Sequence, residues 1–278
     1  MPEPRPRTRP VRTFRRPEEV TPVPPRALRR VVFRQHWRDL VFVHWRADPF
    51  EVARLLPAGT VPDLYDGHAY VGLVLFRMQD LAFGASPALP YLGTFGEVNV
   101  RLCSRDALGR RGVVFRSLDC DRLLPVLAAR VGLGLPYRWS RVFGHWFDHR
   151  LIYRVDGLRR GHPGARVWVD VDGTAVTPDP LEQFLTSRWG LHARVRGRSY
   201  YMPQIHPAWT FRGCSLIGLD ETLVEDAGLT PPRDAPVSVL YAPGVPVRFG
   251  PPEPLPAGTG GARHPGAAPL GATRPGSA

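Results

Sequence analysis

The sequence predicts a mainly β, α+β protein: largely antiparallel strands with two or three short helices. Three observations carry this. Apolar residues alternate with polar ones, or run on briefly without a break, in segments too short for helices. Turn dipeptides such as Asp66-Gly67 separate those segments. Helical spacing occurs in only a few stretches, and two of them open on an Asp-Pro pair. The chain has 278 residues, of which 43% are hydrophobic, enough for a substantial core.

In order, "LVFVHWRA" (40–47) reads as a strand, and "DPFEVARLLP" (48–57) as a short helix capped by Asp48 and ended by Pro57. The turn at Asp66-Gly67 leads into a long strand through "YVGLVLFRMQDL". "GEVNVRLCSR" and "GVVFRSLD" (112–119) are strands on either side of a turn at Leu108-Gly109. "DRLLPVLAARVG", up to Gly132, has helical apolar spacing with Pro125 in its first turn. Strands are expected near 140–155 and 166–172. A helix capped by Asp179 ahead of Pro180 follows, then short strands near 191–197, 211–217 and 237–248.

The formal charge is +12, and all 37 basic residues are arginine; the chain contains no lysine. Residues 1–30 carry +6 and residues 250–278 carry +1, leaving +5 for the stretch between them. The globular part is therefore only mildly basic, which argues against specific nucleic-acid binding. Residues 1–28, rich in Pro and Arg, and 251–278, rich in Pro, Gly and Ala, are expected to be disordered tails around one domain at 29–250. Cys103, Cys120 and Cys214 are too few and too widely spaced for a disulfide framework or a zinc site, which points to the cytoplasm. No apolar run is long enough to suggest a membrane span.

Several motifs taken together, "FVHW" (42–45), "LLPAG" (55–59), "DLYDG" (63–67), "FGEVNVR" (95–101), "FRSLD" (115–119), "ARVGLGLPY" (129–137), "FLTSRW" (184–189) and "HPAW" (206–209), resemble the YqjF-like domain-of-unknown-function family over about residues 31–249. That family resembles acetoacetate decarboxylase, which implies an antiparallel β-barrel around a small-molecule pocket. In the decarboxylase an acid on a strand is followed by a helix and a Pro-Lys-Lys segment bearing the Schiff-base lysine. Here the acid would be Glu97 and the proline Pro136, but Tyr137, Arg138 and Trp139 follow it. A guanidinium forms no Schiff base, so the resemblance implies the fold without lysine imine chemistry.

On the strand 95–105, Val98, Val100 and Leu102 share one face while Glu97, Asn99, Arg101 and Cys103 share the other. If the second face lines a pocket, Glu97 and Arg138 are the catalytic candidates, with Glu97 moving a proton and Arg101 or Arg138 gripping a carboxylate or enolate oxygen. Asn99, His44, Tyr137 and His206 complete the substrate-binding set. The plainer readings are a solvated sheet face for the strand, and backbone-bonded core histidines for His44 and His206. Arg188, after the second capped helix, could simply complement that helix's dipole. His145 and His149 share a face, but the Glu of an H-E-x-x-H motif is absent, so no metal and no cofactor are expected. The function expected is a pocket for a small, anionic, oxygenated metabolite, with lysine-independent acid-base chemistry of a lyase or isomerase kind. The alternative is a noncatalytic binding or regulatory module. A homo-oligomer is compatible with such a fold, although no interface patch is legible.

Overall fold

The computed structural model describes residues 14–122, 134–158, 161 and 163–256. In chain order its elements are β1 (Phe33–Ala47), α1 (Pro49–Leu55), β2 (Thr60–Pro62), β3 (Ala69–Phe83), β4 (Phe95–Asp106), β5 (Arg111–Cys120), β6 (Tyr137–Phe147), β7 (Arg150–Gly157) and β8 (Ala165–Val176). Then come α2 (Pro180–Thr186), β9 (Gly190–Val195), β10 (Arg198–Ile205), β11 (Phe211–Glu221), α3 (Leu223–Asp226), β12 (Ser238–Phe249) and β13 (Glu253–Pro254). The chain is thus mostly β with short helices, as its patterning predicts. The helix expected from Asp119 or Asp121 to Gly132 lies, from residue 123 on, outside the described residues.

Local signals account for the element ends. The Asp48 carboxylate accepts the Phe50 N–H at 2.6 Å at the start of α1, and a reciprocal Asp179/Glu182 capping box starts α2. Asp66 and Gly67 both have positive φ, 48° and 77°, and turn the chain back between Tyr65 and His68 as the Asp-Gly dipeptide demands.

Among the described residues all thirteen strands belong to one sheet, and it folds back on itself. Strands β5, β4, β3, β1, β12, β10 and β9 follow one another by hydrogen bonding around a closed circuit. The last link, Val113 to Leu191, is parallel, as is the β5–β6 pairing; the other pairings are antiparallel.

The central strands are consequently buried on both faces, so "AYVGLVLF" reads as an unbroken apolar run. On β3, Val71, Leu73 and Leu75 join one core with Val98, Val100 and Leu102 of β4 and with residues of β6–β8, α3 and β12. Val74, Phe76 and Met78 point the other way, into a second core made by side chains from every strand of the closed circuit. The polar face of β4 therefore looks into this second core and not into solvent.

The tail expected to be disordered over residues 1–28 is, from residue 14 on, laid against the sheet. Arg15 N–H donates to the Ala107 carbonyl at 3.1 Å, Glu18 N–H to the Gly109 carbonyl at 2.9 Å, and Val20 packs against the cluster of Tyr70, Cys103, Phe184 and Leu185. Backbone hydrogen bonds to the 106–110 turn, which composition does not reveal, hold this segment. Among the described residues no helix is long and apolar enough to cross a membrane.

Candidate ligand-binding site

The register places three residues side by side across β1, β3 and β4: His44, Gly72 and Arg101. One position along β4 on the same face is Asn99, and beyond it Glu97, paired with Phe76 of β3 and Cys120 of β5. Two polar centres therefore lie in one interior, separated by four residues or roughly 13 Å of strand.

The first centre is Glu97 with Tyr137. β6 runs parallel to β5 with Tyr137 opposite Leu118, which turns the phenol inward. Its hydroxyl donates to Glu97 Oε2 at 2.8 Å. Glu97 is buried, and burial pushes its carboxyl up to about 7, with hydrogen bonds from Tyr137 and Asn99 holding the rise back. Burial, together with the Glu97 charge, pushes the Tyr137 hydroxyl well up, so it remains a proton donor across the neutral range. Tyr137→Phe is expected to raise the Glu97 pKa further, since it removes a hydrogen bond to the charged form. Carboxyl chemical shifts followed through a pH titration would measure this.

Glu97 and Tyr137 face a cavity of about 440 Å³. Its wall is otherwise nearly all carbon, including Trp37, Met78, Leu118, Leu135, Met202 and Phe249. Gln35 also borders it, but its amide oxygen is occupied by the Trp37 Nε1–H at 2.8 Å.

The second centre is built around Arg101. Its Nη2 lies 3.4 Å from His44 Nε2 and donates to the Leu185 carbonyl at 3.3 Å, where the C-terminal end of α2 meets this part of the interior. Gly72 makes the meeting possible, because a Cβ there would lie 2.8 Å from His44 Cδ2 and 3.4 Å from Arg101 Cγ. Gly72→Ala is accordingly expected to cost about 1–3 kcal/mol in denaturant unfolding, as for other overpacked sites. Burial, with Arg101 and Arg188 close by, pushes His44 well below the usual histidine range, so its ring is neutral.

Not every predicted residue joins these groups. Arg138 sits one position beyond Tyr137 on β6 and therefore points to the opposite side, where Asp119 Oδ2 binds its Nη2 at 2.7 Å and Asp226 binds Nη1. The expectation that Arg138 shares a site with Glu97 is corrected by this alternation. His206 lies between Trp189 and Trp209, with Nδ1 2.6 Å from the Pro207 carbonyl oxygen; burial lowers its pKa to about 4. It does not line the Glu97 cavity, but it is near enough to the second centre for the Arg101 charge to add to the lowering of its pKa. His145 and His149 are exposed, and among the described residues no three His, Cys, Asp or Glu side chains are placed to hold a metal.

Sequence reasoning left Arg188 at a helix end and overlooked Asp63. The two are about 1% exposed and ion-paired, and Arg111 Nη1 donates to the same Asp63 Oδ2 at 2.5 Å. Both lie in short motifs, "DLYDG" and "FLTSRW", but 125 residues of separation hide the pairing.

Solved structures similar to this closed β circuit assign its fold to the acetoacetate decarboxylase-like class. The enduracididine biosynthesis enzyme MppR complexed with pyruvate superposes with a TM-score of 0.57 at 15% identity, covering 82% of this chain and 92% of that one. Acetoacetate decarboxylase from Legionella pneumophila gives 0.55 at 17% identity, covering 84% and 90%. The acetoacetate decarboxylase-like enzyme from Sphingomonas wittichii RW1 gives 0.55 at 14%, covering 83% and 96%. These likenesses concern the fold. Within it, the chain belongs to the DUF2071 family, described as an uncharacterized conserved protein, whose model matches residues 34–246. The uncharacterized protein YqjF of Bacillus subtilis (strain 168) is 30% identical over 210 residues, 74% of this chain and 86% of the relative.

Proposed function

We propose that the protein binds a small, largely apolar molecule bearing one carbonyl or hydroxyl oxygen, and that Glu97 transfers a proton at that polar end. The observation that supports this most is the Glu97–Tyr137 pair, facing a cavity whose wall is nearly all carbon and balanced near neutrality. A carboxyl with a pKa of about 7 exists in both forms at physiological pH, as a general acid-base catalyst requires. Tyr137 has one O–H, which the charged Glu97 accepts; once Glu97 takes up a proton, that O–H can turn to an oxygen on which charge develops, while Asn99 orients the carboxyl. The carbon wall favours an apolar body over the compact anion expected from sequence, because little of it can solvate a charge.

The reaction class is proton transfer at a carbon next to a carbonyl, the simplest step a lone buried acid can run. A lysine imine is not available, since the chain has no lysine. The protein, incubated in D₂O with short- and medium-chain methyl ketones, is expected to exchange their α-protons in NMR spectra. Glu97→Gln should slow that exchange by about 10²-fold or more. A ketone that binds, by its effect on Trp37 fluorescence, but shows no Glu97-dependent exchange would leave the protein a noncatalytic binding module.

A further inference from the structure

The interior around Arg101 holds more positive charge than its carboxylates answer. Arg101, Arg188 and Arg111 are grouped with Asp63, the one acid among the charges that act on the buried Cys103 thiol. Asp63 is used by Arg111 and Arg188, and among the described residues no carboxylate contacts Arg101. Buried charge on this scale is costly unless it is matched.

The geometry also says what would match it. The guanidinium of Arg101 lies 5.3 Å from the centre of the Phe42 ring, and that of Arg188 lies 4.2 Å from the centre of Phe184. Each ring covers one face of its guanidinium and leaves the in-plane N–H edges to bond. On those edges Arg101 Nε and Arg188 Nε and Nη2 are buried without partners. His44 is neutral and accepts from Arg101 at Nε2, so its proton is on Nδ1, which is also buried and unpartnered. Every one of these unmet groups is a donor. A guanidinium edge matches the planar oxygens of a carboxylate, and buried N–H donors left unbonded are costly.

We propose that Arg101, Arg188 and His44 form a binding site for a small monoanion of carboxylate or halide size, distinct from the Glu97 cavity. The site does not depend on Glu97 being catalytic. The same chemistry could be met by a free ion or by the carboxylate of a larger ligand.

The test is thermal unfolding of the full chain at fixed ionic strength held with sodium HEPES, titrated with formate, acetate, butyrate or chloride. A saturating rise in Tm on the order of 5 °C is expected for formate. Arg101→Met should lose it, while Arg154→Met, at an exposed position on the outer face of β7, should keep it. Chloride acting as well as formate identifies a free-ion site; acetate and butyrate acting without chloride identify the carboxylate of a larger ligand. Wild type and Arg101→Met responding identically to every anion would overturn the proposal. Should Arg101→Met not fold, crystals of the wild type soaked in bromide decide. Anomalous density within hydrogen-bond reach of Arg101 Nε supports the site, and bromide bound only elsewhere refutes it.

Discussion

Asp63→Asn is expected to cost about 3–5 kcal/mol of unfolding free energy, the largest loss of any single polar substitution discussed for this protein. Asp63 and Arg188 are both about 1% exposed, so neither can turn to water when its partner is removed. The substitution takes away the charge that Arg188 and Arg111 share and adds an amide N–H₂ that the guanidinium groups cannot accept. Arg111 has a second acceptor in the Glu18 carbonyl at 2.7 Å and some exposure; Arg188 has neither a second carboxylate nor solvent. Urea unfolding should show a lower midpoint at unchanged m-value. Asp226→Asn is the contrast: it also removes a carboxylate from an arginine, Arg138. That carboxylate is 39% exposed and Asp119 remains, so the loss should stay below about 1 kcal/mol. Equal effects of the two substitutions would mean that burial does not govern the Asp63 pair.

Glu97→Gln is expected to make the protein more stable at pH 8 and to abolish the proposed proton transfer. Burial raises the Glu97 pKa to about 7 in the fold, against about 4.5 in an exposed chain. Below pH 4.5 the carboxyl is protonated whether the chain is folded or not, and it carries no ionisation penalty. Between 4.5 and 7 the unfolded chain gives up this proton while the folded one keeps it, so stability falls as pH rises. Above 7 the loss is complete, at roughly 3 kcal/mol. Glutamine has no proton to lose and keeps an oxygen for the Tyr137 hydroxyl. The difference between variant and parent should therefore be small at pH 4, grow through pH 4.5–7 and level off above. Groups that titrate in both proteins cancel in that difference. A difference independent of pH would show that Glu97 ionises normally, and would remove the basis of its acid-base role. Gain of stability with loss of turnover is the pattern expected where a fold holds a strained functional group.

Much of this protein was legible in its sequence because the relevant physics is local. Asp48, Asp179 and the Asp66-Gly67 turn mark element ends through bonds to their own neighbours. The period of two on β4 sets Glu97, Asn99 and Arg101 on one face whatever the rest of the chain does. The absence of lysine removes lysine imine chemistry by inventory alone. Which face is buried, and beside what, is different in kind. Only the closing of the sheet through β5–β9 and β10–β12 turns the polar face of β4 inward. Only the parallel register of β6 against β5 decides that Tyr137, and not Arg138, reaches Glu97, since a slip of one residue would exchange them. The Asp63–Arg188 pair and the clearance at Gly72 likewise depend on contacts between segments far apart in the chain. Sequence determined which chemical groups the strand presents; tertiary pairing decided which of them meet, because a side chain's face is fixed by its own backbone while its partners are fixed by strand register.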